Sequence, residues 1–290
     1  MNRMTMGSVR VARSGSLLND TFAGAGQSAT TTSNSGFSCA DNNNELSSPT
    51  KACTINRPLA TVSNRDAWKS SKNAERAAQI VKQSNVICFD VDSTVICEEG
   101  IDELADFCGK GSEVARVTKE AMGGGMTFQD ALNIRLNIIQ PRKNQIIEFL
   151  QQRPCTLTKN IRSFMEKLKL ERKEIYLISG GFHCLIDPIA DELGIPRNHV
   201  FANKLTFFFN GDYASFDTTQ PTSKSGGKAE AVSIIKRCHP DAIITMIGDG
   251  ATDLEAAPPA DNVIGFGGNV LRTEVHQRAQ YYIMDFAQLM

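Results

Sequence analysis

The sequence has no long hydrophobic run and no excess of charge of either sign. A membrane-spanning helix needs roughly 18 or more consecutive apolar residues, and a secretory signal needs a continuous apolar stretch near the N-terminus; neither is present. The 31 basic side chains are balanced by 32 acidic ones, for a formal charge of -1. Because nucleic-acid binders usually carry a clustered basic excess, we expect a soluble, intracellular and cytoplasmic protein that acts on a small molecule, with neither nucleic acid nor membrane as partner.

Cysteine pairs with the spacing of a zinc or redox site are also missing. The eight cysteines are scattered along the 290 residues, and none forms a C-x-x-C pair. We interpret them as reduced thiols.

The first part of the chain has the composition of a disordered segment. Residues 1–65 are rich in Ser, Thr, Asn, Gly and Ala and show neither helical nor strand periodicity. Arginines and hydroxyl residues precede the first acid, Asp20, which is typical of a transit peptide. The tail is therefore either a disordered extension or a signal for organellar import.

The remainder is long enough for one substantial core and a smaller unit. Residues 99–157 carry about four amphipathic helical segments broken by glycines and Pro141, and we interpret them as a helical insertion. Residues 66–98 and 158–290 form the core domain, in which helices alternate with short apolar strands. Asn210-Gly211 indicates the turn of a β-hairpin in this part.

The alternation predicts an α/β fold. Strands that are apolar throughout indicate a parallel sheet covered by helices on both faces. Ligands of such folds bind at the carboxyl ends of the strands. Asp90, Ser179 and Asp249 each follow or end an apolar strand, so we expect them to share one crevice.

Two aspartates end the first strand in VICFDVDSTV. Side chains at i and i+2 of an extended chain share a face, so Asp90 and Asp92 would lie close together and repel. A metal cation or a proton would offset this repulsion. A calcium loop counted from Asp90 is excluded, because it requires Gly and Glu where this chain has Val95 and Ile101.

Other strand ends offer further groups for a phosphorylated ligand. Ser179 provides a hydroxyl, and the following glycines allow backbone N–H groups to approach an anion. Lys228 opens a helix behind Ser225-Gly226-Gly227, and Asp249 and Asp253 add carboxylates that suit Mg2+. Each motif alone has an ordinary explanation as a turn, an Asx-turn with a capped helix, or a solvated lysine. Their common location favours a site that holds a cation and a phosphoryl group.

The segments DVDST, SGG, GGK and GDGATD resemble the four motifs of the haloacid dehalogenase superfamily of phosphotransferases. The likeness extends over about residues 85–287, through the segments AMGGGMTFQDAL, YLISGGF, HVFANKL and IGFGGNVLR. These segments resemble the branch of the superfamily that hydrolyses O-phosphoserine. This resemblance implies a Rossmann-like parallel sheet with the helical insertion as a cap and a β-hairpin. It further implies Mg2+-dependent hydrolysis of O-phospho-L-serine to L-serine and phosphate through an aspartyl-phosphate, the last step of L-serine biosynthesis.

The resemblance also implies roles for individual residues. Asp90 would be the nucleophile, and Asp92 the general acid and then the general base. Mg2+ would be bound by the side chains of Asp90 and Asp249 and the main-chain carbonyl of Asp92, with Asp253 as a further ligand or a supporting partner. The phosphoryl oxygens would be bound by Ser179, Gly180, Gly181 and Lys228.

Selectivity would come from the cap. By resemblance, Glu99 pairs with the ammonium of phosphoserine and Arg135 with its carboxylate. Composition alone would make Arg135 an ordinary exposed helix residue. By the same resemblance, Met122 and Phe128 would help exclude water from the closed site, and Thr252 and Asn203 are further candidates for contacts with substrate or water.

Two other readings stay open at this stage. The enzyme could be a related phosphatase or phosphotransferase for another small phosphomonoester. It could also be a binding module that keeps the fold and senses phosphorylated ligands, although the complete set of acids and Lys228 argues against this. Whether the chain forms a homodimer is open as well.

Overall fold

The computed structural model describes residues 64–122 and 125–290, with side chains at 73–121 and 125–290. The tail predicted for residues 1–65 lies outside the described part, apart from its last two residues, which begin the first helix. Among the described helices, none is both long enough and apolar enough to cross a bilayer.

A six-stranded parallel sheet forms the centre of the described residues, with a separate two-stranded antiparallel hairpin. The strand order is β3-β2-β1-β6-β7-β8, and β4 pairs with β5 in the hairpin. The predicted α/β class, parallel sheet and hairpin are thereby confirmed. The strands are β1 Val86–Phe89, β2 Glu174–Phe182, β3 Val200–Asn203, β4 Leu205–Phe207, β5 Tyr213–Phe216, β6 Ile244–Gly248, β7 Asn262–Phe266 and β8 Tyr281–Ile283.

Helices cover both faces of the sheet. Ile87 and Phe89 pack into one hydrophobic cluster with the helix over residues 161–170, whereas Val86 and Cys88 pack into another with the helix over residues 227–238. All four residues of β1 are buried because alternate side chains point to opposite, equally covered faces. The helices are α1 Asn64–Gln83, α2 Gly100–Phe107, α3 Gly111–Met122, α4 Phe128–Ile139, α5 Lys143–Gln152, α6 Ile161–Leu170, α7 His183–Glu192, α8 Gly227–Cys238, α9 Ala251–Leu254 and α10 Thr273–Arg278.

The predicted helical insertion contains α2 to α5. The hydroxyl of Thr127 accepts from the backbone N–H of Asp130 and caps the start of α4, and Gln140 ends this helix in the left-handed conformation just before Pro141. These helices share a hydrophobic cluster that also includes Phe182 and Phe216 of the core strands. The insertion therefore packs onto the carboxyl side of the sheet, above the ends of β1 and β2.

Candidate active site

Three neighbouring strands bring the predicted site residues together. β1 lies between β2 and β6, and Phe89 is aligned with Leu177 on one side and Ile247 on the other. Asp90 and Asp249 follow the ends of β1 and β6. Ser179 lies within β2, which continues to Phe182, three residues beyond the predicted strand end. The common crevice expected from the sequence is thus formed by adjacent strand ends.

Lys228 lies between two buried carboxylates. Its Nζ is 2.8 Å from Asp90 Oδ2 and 2.6 Å from Asp253 Oδ1. Lys228 is only 9% exposed and Asp253 is fully buried, so Lys228 is not the solvated helix residue that its position alone would suggest. Burial by itself would lower the pKa of Lys228, but the Asp253 and Asp90 carboxylates raise it above its ordinary value. The side chain therefore supplies a fixed positive charge.

Three carboxylates form a group that suits a hard cation. Oxygen atoms of Asp90, Asp249 and Asp253 all lie within 4.8 Å of one another, and all three side chains are buried. Burial, with Asp253 adding to it, raises the pKa of Asp90 well above its ordinary value. Within the described part of the chain, Lys228 and Arg272 are the cations that contact this group, which leaves an excess of negative charge when all three carboxylates are ionised. The oxygen donors, their spacing and this excess fit Mg2+.

Asp92 has different partners from Asp90. Its Oδ1 accepts a hydrogen bond of 2.7 Å from the backbone N–H of Gly100 at the start of α2, and its Oδ2 accepts one of 3.1 Å from the hydroxyl of Ser179. Burial raises the pKa of Asp92, against the lowering effect of these hydrogen bonds. A raised pKa favours the protonated form of Asp92, which is the form that a general acid needs.

The shared face expected for Asp90 and Asp92 has a different origin from the one predicted. β1 ends at Phe89, so strand geometry does not extend through both residues. The chain instead turns, and Ser93 adopts a φ of 55°. Both aspartates line the same cavity. Asp90 directly follows the strand, whereas Asp92 lies in the turn.

Hydrogen bonds from Gly181 and Asn203 stabilise the serine motif. The backbone N–H of Gly181 donates to the Ser179 hydroxyl at 2.9 Å, and the side-chain amide of Asn203 donates to the Gly180 carbonyl at 2.8 Å. Asn203 is fully buried and also pairs with Thr222. It therefore holds the backbone of the motif and does not reach the cavity.

A cavity of about 650 Å³ lies between the strand ends and the inserted helices. Ser179 and Asp253 do not line the cavity themselves, but Ser179 contacts Asp92 and Asp253 contacts Lys228, which do. The side chain of Met122 lies outside the part of the chain that the structure describes. The predicted residues that line the cavity are Asp90, Asp92, Glu99, Phe128, Arg135, Gly180, Gly181, Lys228, Asp249 and Thr252.

Glu99 and Arg135 face this cavity from the insertion. The carboxylate of Glu99 accepts a hydrogen bond of 2.8 Å from the Ser93 hydroxyl and lies 2.9 Å from a guanidinium nitrogen of Arg272. Burial, followed by the charge of Asp92, raises the pKa of Glu99 to about 7. Arg135 is half-buried and donates to a carbonyl of its own helix. Its burial lowers its pKa, and its location on the cavity wall differs from that of an exposed helix arginine.

Arg272 and Thr94 are site residues that sequence reasoning did not single out. Arg272 Nε donates to Asp249 Oδ2 at 2.7 Å, while its Nη2 contacts Glu99. The hydroxyl of Thr94 donates to Asp249 Oδ1 at 3.2 Å. The segment IGFGGNVLR contains Arg272, but nothing in its spacing connects it with residues 94, 99 or 249.

The family of haloacid dehalogenase-like hydrolases matches residues 85–261 of the chain. A phosphoserine phosphatase of Drosophila melanogaster is 66% identical over 220 residues, which cover 76% of this chain and 82% of that protein. The phosphoserine phosphatase of Rattus norvegicus is 51% identical over 207 residues, 71% of this chain and 92% of that protein. A solved structure of the phospho-aspartyl intermediate analogue of phosphoserine phosphatase superposes with a TM-score of 0.62 at 25% identity, over 71% of this chain and 97% of that one.

Proposed function

The chain belongs to the haloacid dehalogenase-like hydrolases, and among them to the phosphoserine phosphatases, and we propose that it hydrolyses O-phospho-L-serine to L-serine and phosphate. It is a phosphoric monoester hydrolase. The observation that carries the proposal is the pair of carboxylates that line the cavity. Asp90 contacts Lys228, whereas Asp92 accepts its hydrogen bonds from Gly100 and Ser179.

In the first step, the carboxylate of Asp90 attacks phosphorus. A bond forms between a carboxylate oxygen and phosphorus, and the bond from phosphorus to the serine oxygen breaks. Asp92 donates its proton to the departing serine oxygen. The raised pKa of Asp92 supports this role because the group must be protonated before the step.

In the second step, Asp92 accepts a proton from water as the water oxygen attacks the aspartyl-phosphate. The bond to Asp90 breaks, phosphate leaves, and Asp92 is protonated again for the next cycle. One side chain thus gives a proton to serine and then takes another from water, which requires it to stay free of the metal. The hydrogen bonds from Gly100 and Ser179 hold it in place.

Lys228 and the metal site balance the charge of the transferring group. Lys228 Nζ would bind a phosphoryl oxygen, which its contact with Asp90 and its position on the cavity lining support. Asp90 and Asp249, with the main-chain carbonyl of Asp92 and with Asp253 nearby, would hold Mg2+. The ion would keep Asp90 ionised and stabilise negative charge on the phosphoryl oxygens.

The helices α2 to α5 act in this proposal as the cap that recognises the amino acid. Glu99 would bind the substrate ammonium and Arg135 its carboxylate, since both line the cavity that also contains Lys228. Phe128 would exclude water, and Thr252 would contact the substrate or a water. The division into a core domain at 66–98 and 158–290 and a cap at 99–157 is part of this proposal.

The deciding experiment measures phosphate release from L-phosphoserine, with Mg2+ and with EDTA. We expect release only with Mg2+. Replacing Arg135 by Ala should lower kcat/KM for phosphoserine about 10- to 100-fold, the worth of a hydrogen-bonded charge pair, and change turnover of p-nitrophenyl phosphate little. Arg116→Ala, at an exposed arginine of α3, is the matched control.

The other outcomes are distinct. An equal loss on both substrates after Arg135→Ala would indicate that another small phosphomonoester is the substrate. If the wild type releases phosphate neither from phosphoserine nor from p-nitrophenyl phosphate, a binding module would be indicated.

The proposed reaction would be the last step of L-serine biosynthesis. A serine auxotroph that lacks its own enzyme should grow without serine when it expresses this chain, and should fail to grow with Asp90→Asn. Whether residues 1–65 are a disordered extension or an import signal stays open, and fusing those residues to a fluorescent reporter tests it.

A further inference from the structure

Two linkers connect the inserted helices to the rest of the described chain. We define the first linker as residues 93–98 and the second as residues 153–158. They pair through a bridge between Ile96 and Leu157, a 2.9 Å hydrogen bond from Cys97 N to the Thr156 carbonyl, and another of 2.9 Å from Thr158 N to the Val95 carbonyl. The two linkers therefore form one hydrogen-bonded unit.

A single core side chain binds both linkers. Asn269 lies in the loop between β7 and α10, and its Nδ2 donates to the carbonyls of Ser93 at 3.1 Å and Ile96 at 3.2 Å. The same nitrogen lies 2.6 Å from the hydroxyl oxygen of Thr158 on the second linker. Because an amide nitrogen carries two protons, three acceptors use its full donating capacity.

The bound segments lead directly to site residues. The hydroxyl of Ser93, whose carbonyl Asn269 binds, donates to Glu99 at 2.8 Å. Its φ of 55° is one that a residue with a β-carbon adopts only when its surroundings fix it. Asp92, the preceding residue, accepts from Gly100 at the start of α2. The position of the first linker thus decides where Glu99 and α2 lie over the cavity.

We propose that Asn269 is a positioning residue that fixes both linkers to the core and thereby sets the inserted helices, with Glu99 and Arg135, at the distance from the cavity floor that substrate selection needs. The inference rests on the proposed function for its kinetic consequence. Its structural part, the fixing of the linkers, stands on the hydrogen bonds of Asn269 alone.

The kinetic test compares two substrates with Asn269→Ala. We expect KM for phosphoserine to rise and kcat/KM to fall by about tenfold or more, since misplacement of a binding group by a fraction of an ångström is costly. Turnover of p-nitrophenyl phosphate, which lacks the amino-acid groups, should stay within about twofold. An equal loss on both substrates, or no loss on either, would overturn the inference.

Thr158 gives a milder and matched pair of variants. Thr158→Val removes the hydroxyl that contacts Asn269 and keeps the side-chain shape, whereas Thr158→Ser keeps the hydroxyl. We expect Thr158→Val to raise KM for phosphoserine, as Asn269→Ala does, and Thr158→Ser to leave KM close to that of the wild type. The double variant Asn269→Ala/Thr158→Val should be no worse than Asn269→Ala, since both remove the same contact. Additive losses would contradict the inference, and this pair remains informative should Asn269→Ala fold poorly.

Hydrogen exchange supplies a measurement that does not depend on activity. The amides of Cys97 and Thr158, which bond across the linkers, should exchange faster in Asn269→Ala than in the wild type, while amides of β1 should not change. If the wild type fails to hydrolyse phosphoserine, the proposed function fails, and the exchange result still decides the role of Asn269. Unchanged exchange in the linkers would overturn that role.

Discussion

The phenyl ring of Phe128 lies so close to the backbone of Gly180 that a β-carbon on Gly180 would approach Phe128 Cζ to 2.8 Å. This contact joins the start of α4 to the serine motif of β2. Replacing Gly180 by Ala should therefore displace the Phe128 ring, and with it the start of α4, from the serine motif. We expect kcat/KM for phosphoserine to fall about 10- to 100-fold, measured by steady-state phosphate release.

A second substitution at the same contact is the control for Gly180→Ala. Phe128→Leu added to Gly180→Ala makes room for the new methyl group and should recover part of the loss. Gly125→Ala, where an added β-carbon would have its nearest neighbour at 3.6 Å, should be close to the wild type. A double variant no better than Gly180→Ala would show that the collision with Phe128 is not the cause.

Substitutions of Asp90 and Asp92 should impair different steps of the reaction. Asp90→Asn removes the attacking carboxylate, so no phosphoenzyme should form. Asp92→Asn keeps the nucleophile but loses the proton donor and acceptor, and we expect kcat for phosphoserine to fall about 10²- to 10⁴-fold. With p-nitrophenyl phosphate, whose leaving group needs little protonation, the Asp92 variant should accumulate phosphoenzyme. Acid quench with radiolabelled substrate measures it, and labelling of the Asp90 variant would contradict the assignment.

Lys228 should stabilise the fold as well as the reaction. Its ammonium is the partner of two buried carboxylates, Asp90 and Asp253. In EDTA, Lys228→Met should lower the free energy of unfolding by about 3–5 kcal/mol, because it leaves buried charges without a partner. Mg2+ should raise the Tm of this variant more than that of the wild type, since the cation then offsets the charge. Denaturant unfolding and calorimetry measure both effects.

A lysine on the same helix serves as the comparison for Lys228. Lys236 pairs with Asp261 at 2.8 Å in a partly exposed location. Lys236→Met should cost no more than about 1 kcal/mol and should leave the response to Mg2+ unchanged. Equal costs for the two variants would show that burial of the Lys228 pairs is not what stabilises the fold.

Asp217 should make stability depend on acid pH. The hydroxyl of Thr219, the side chain of Gln220 and the backbone N–H of Thr219 donate to its carboxylate and lower the pKa of Asp217 to about 2. A carboxyl with a depressed folded pKa stabilises the protein above its unfolded pKa, and this contribution is lost as the pH falls toward 2. Thr219→Ala should raise the pKa of Asp217 toward its ordinary 3.8 and weaken the fall in stability between about pH 4 and 2. Carbon NMR of the carboxyl group measures the pKa, and an unshifted midpoint would contradict the assignment.

Much of the fold and of the site's location could be predicted from the sequence. Apolar strands alternating with amphipathic helices specify a covered parallel sheet, because each pattern is local and each has one way to be buried. Asp90, Ser179 and Asp249 meet because neighbouring parallel strands end at the same edge. The motif residues by themselves therefore indicate the crevice.

Local geometry at the site was less predictable. The spacing of Asp90 and Asp92 predicted a shared strand face, but β1 ends at Phe89 and a turn places the second carboxylate near Gly100 and Ser179. Where a strand ends depends on what packs above it. Here the inserted helices begin at Gly100, and a sequence pattern does not report that contact.

What the sequence determined by itself is the type of fold, the chemistry-bearing residues of the motifs and the edge of the sheet where they meet. Only the tertiary structure decided that Arg272 joins Asp249 to Glu99. It also decided that Asn269 binds Ser93, Ile96 and Thr158, which lie 176, 173 and 111 residues earlier in the chain. The physical reason is that these side chains take no part in the periodic burial that specifies strands and helices. Their hydrogen bonds form between segments that only the folded chain brings within 3.2 Å.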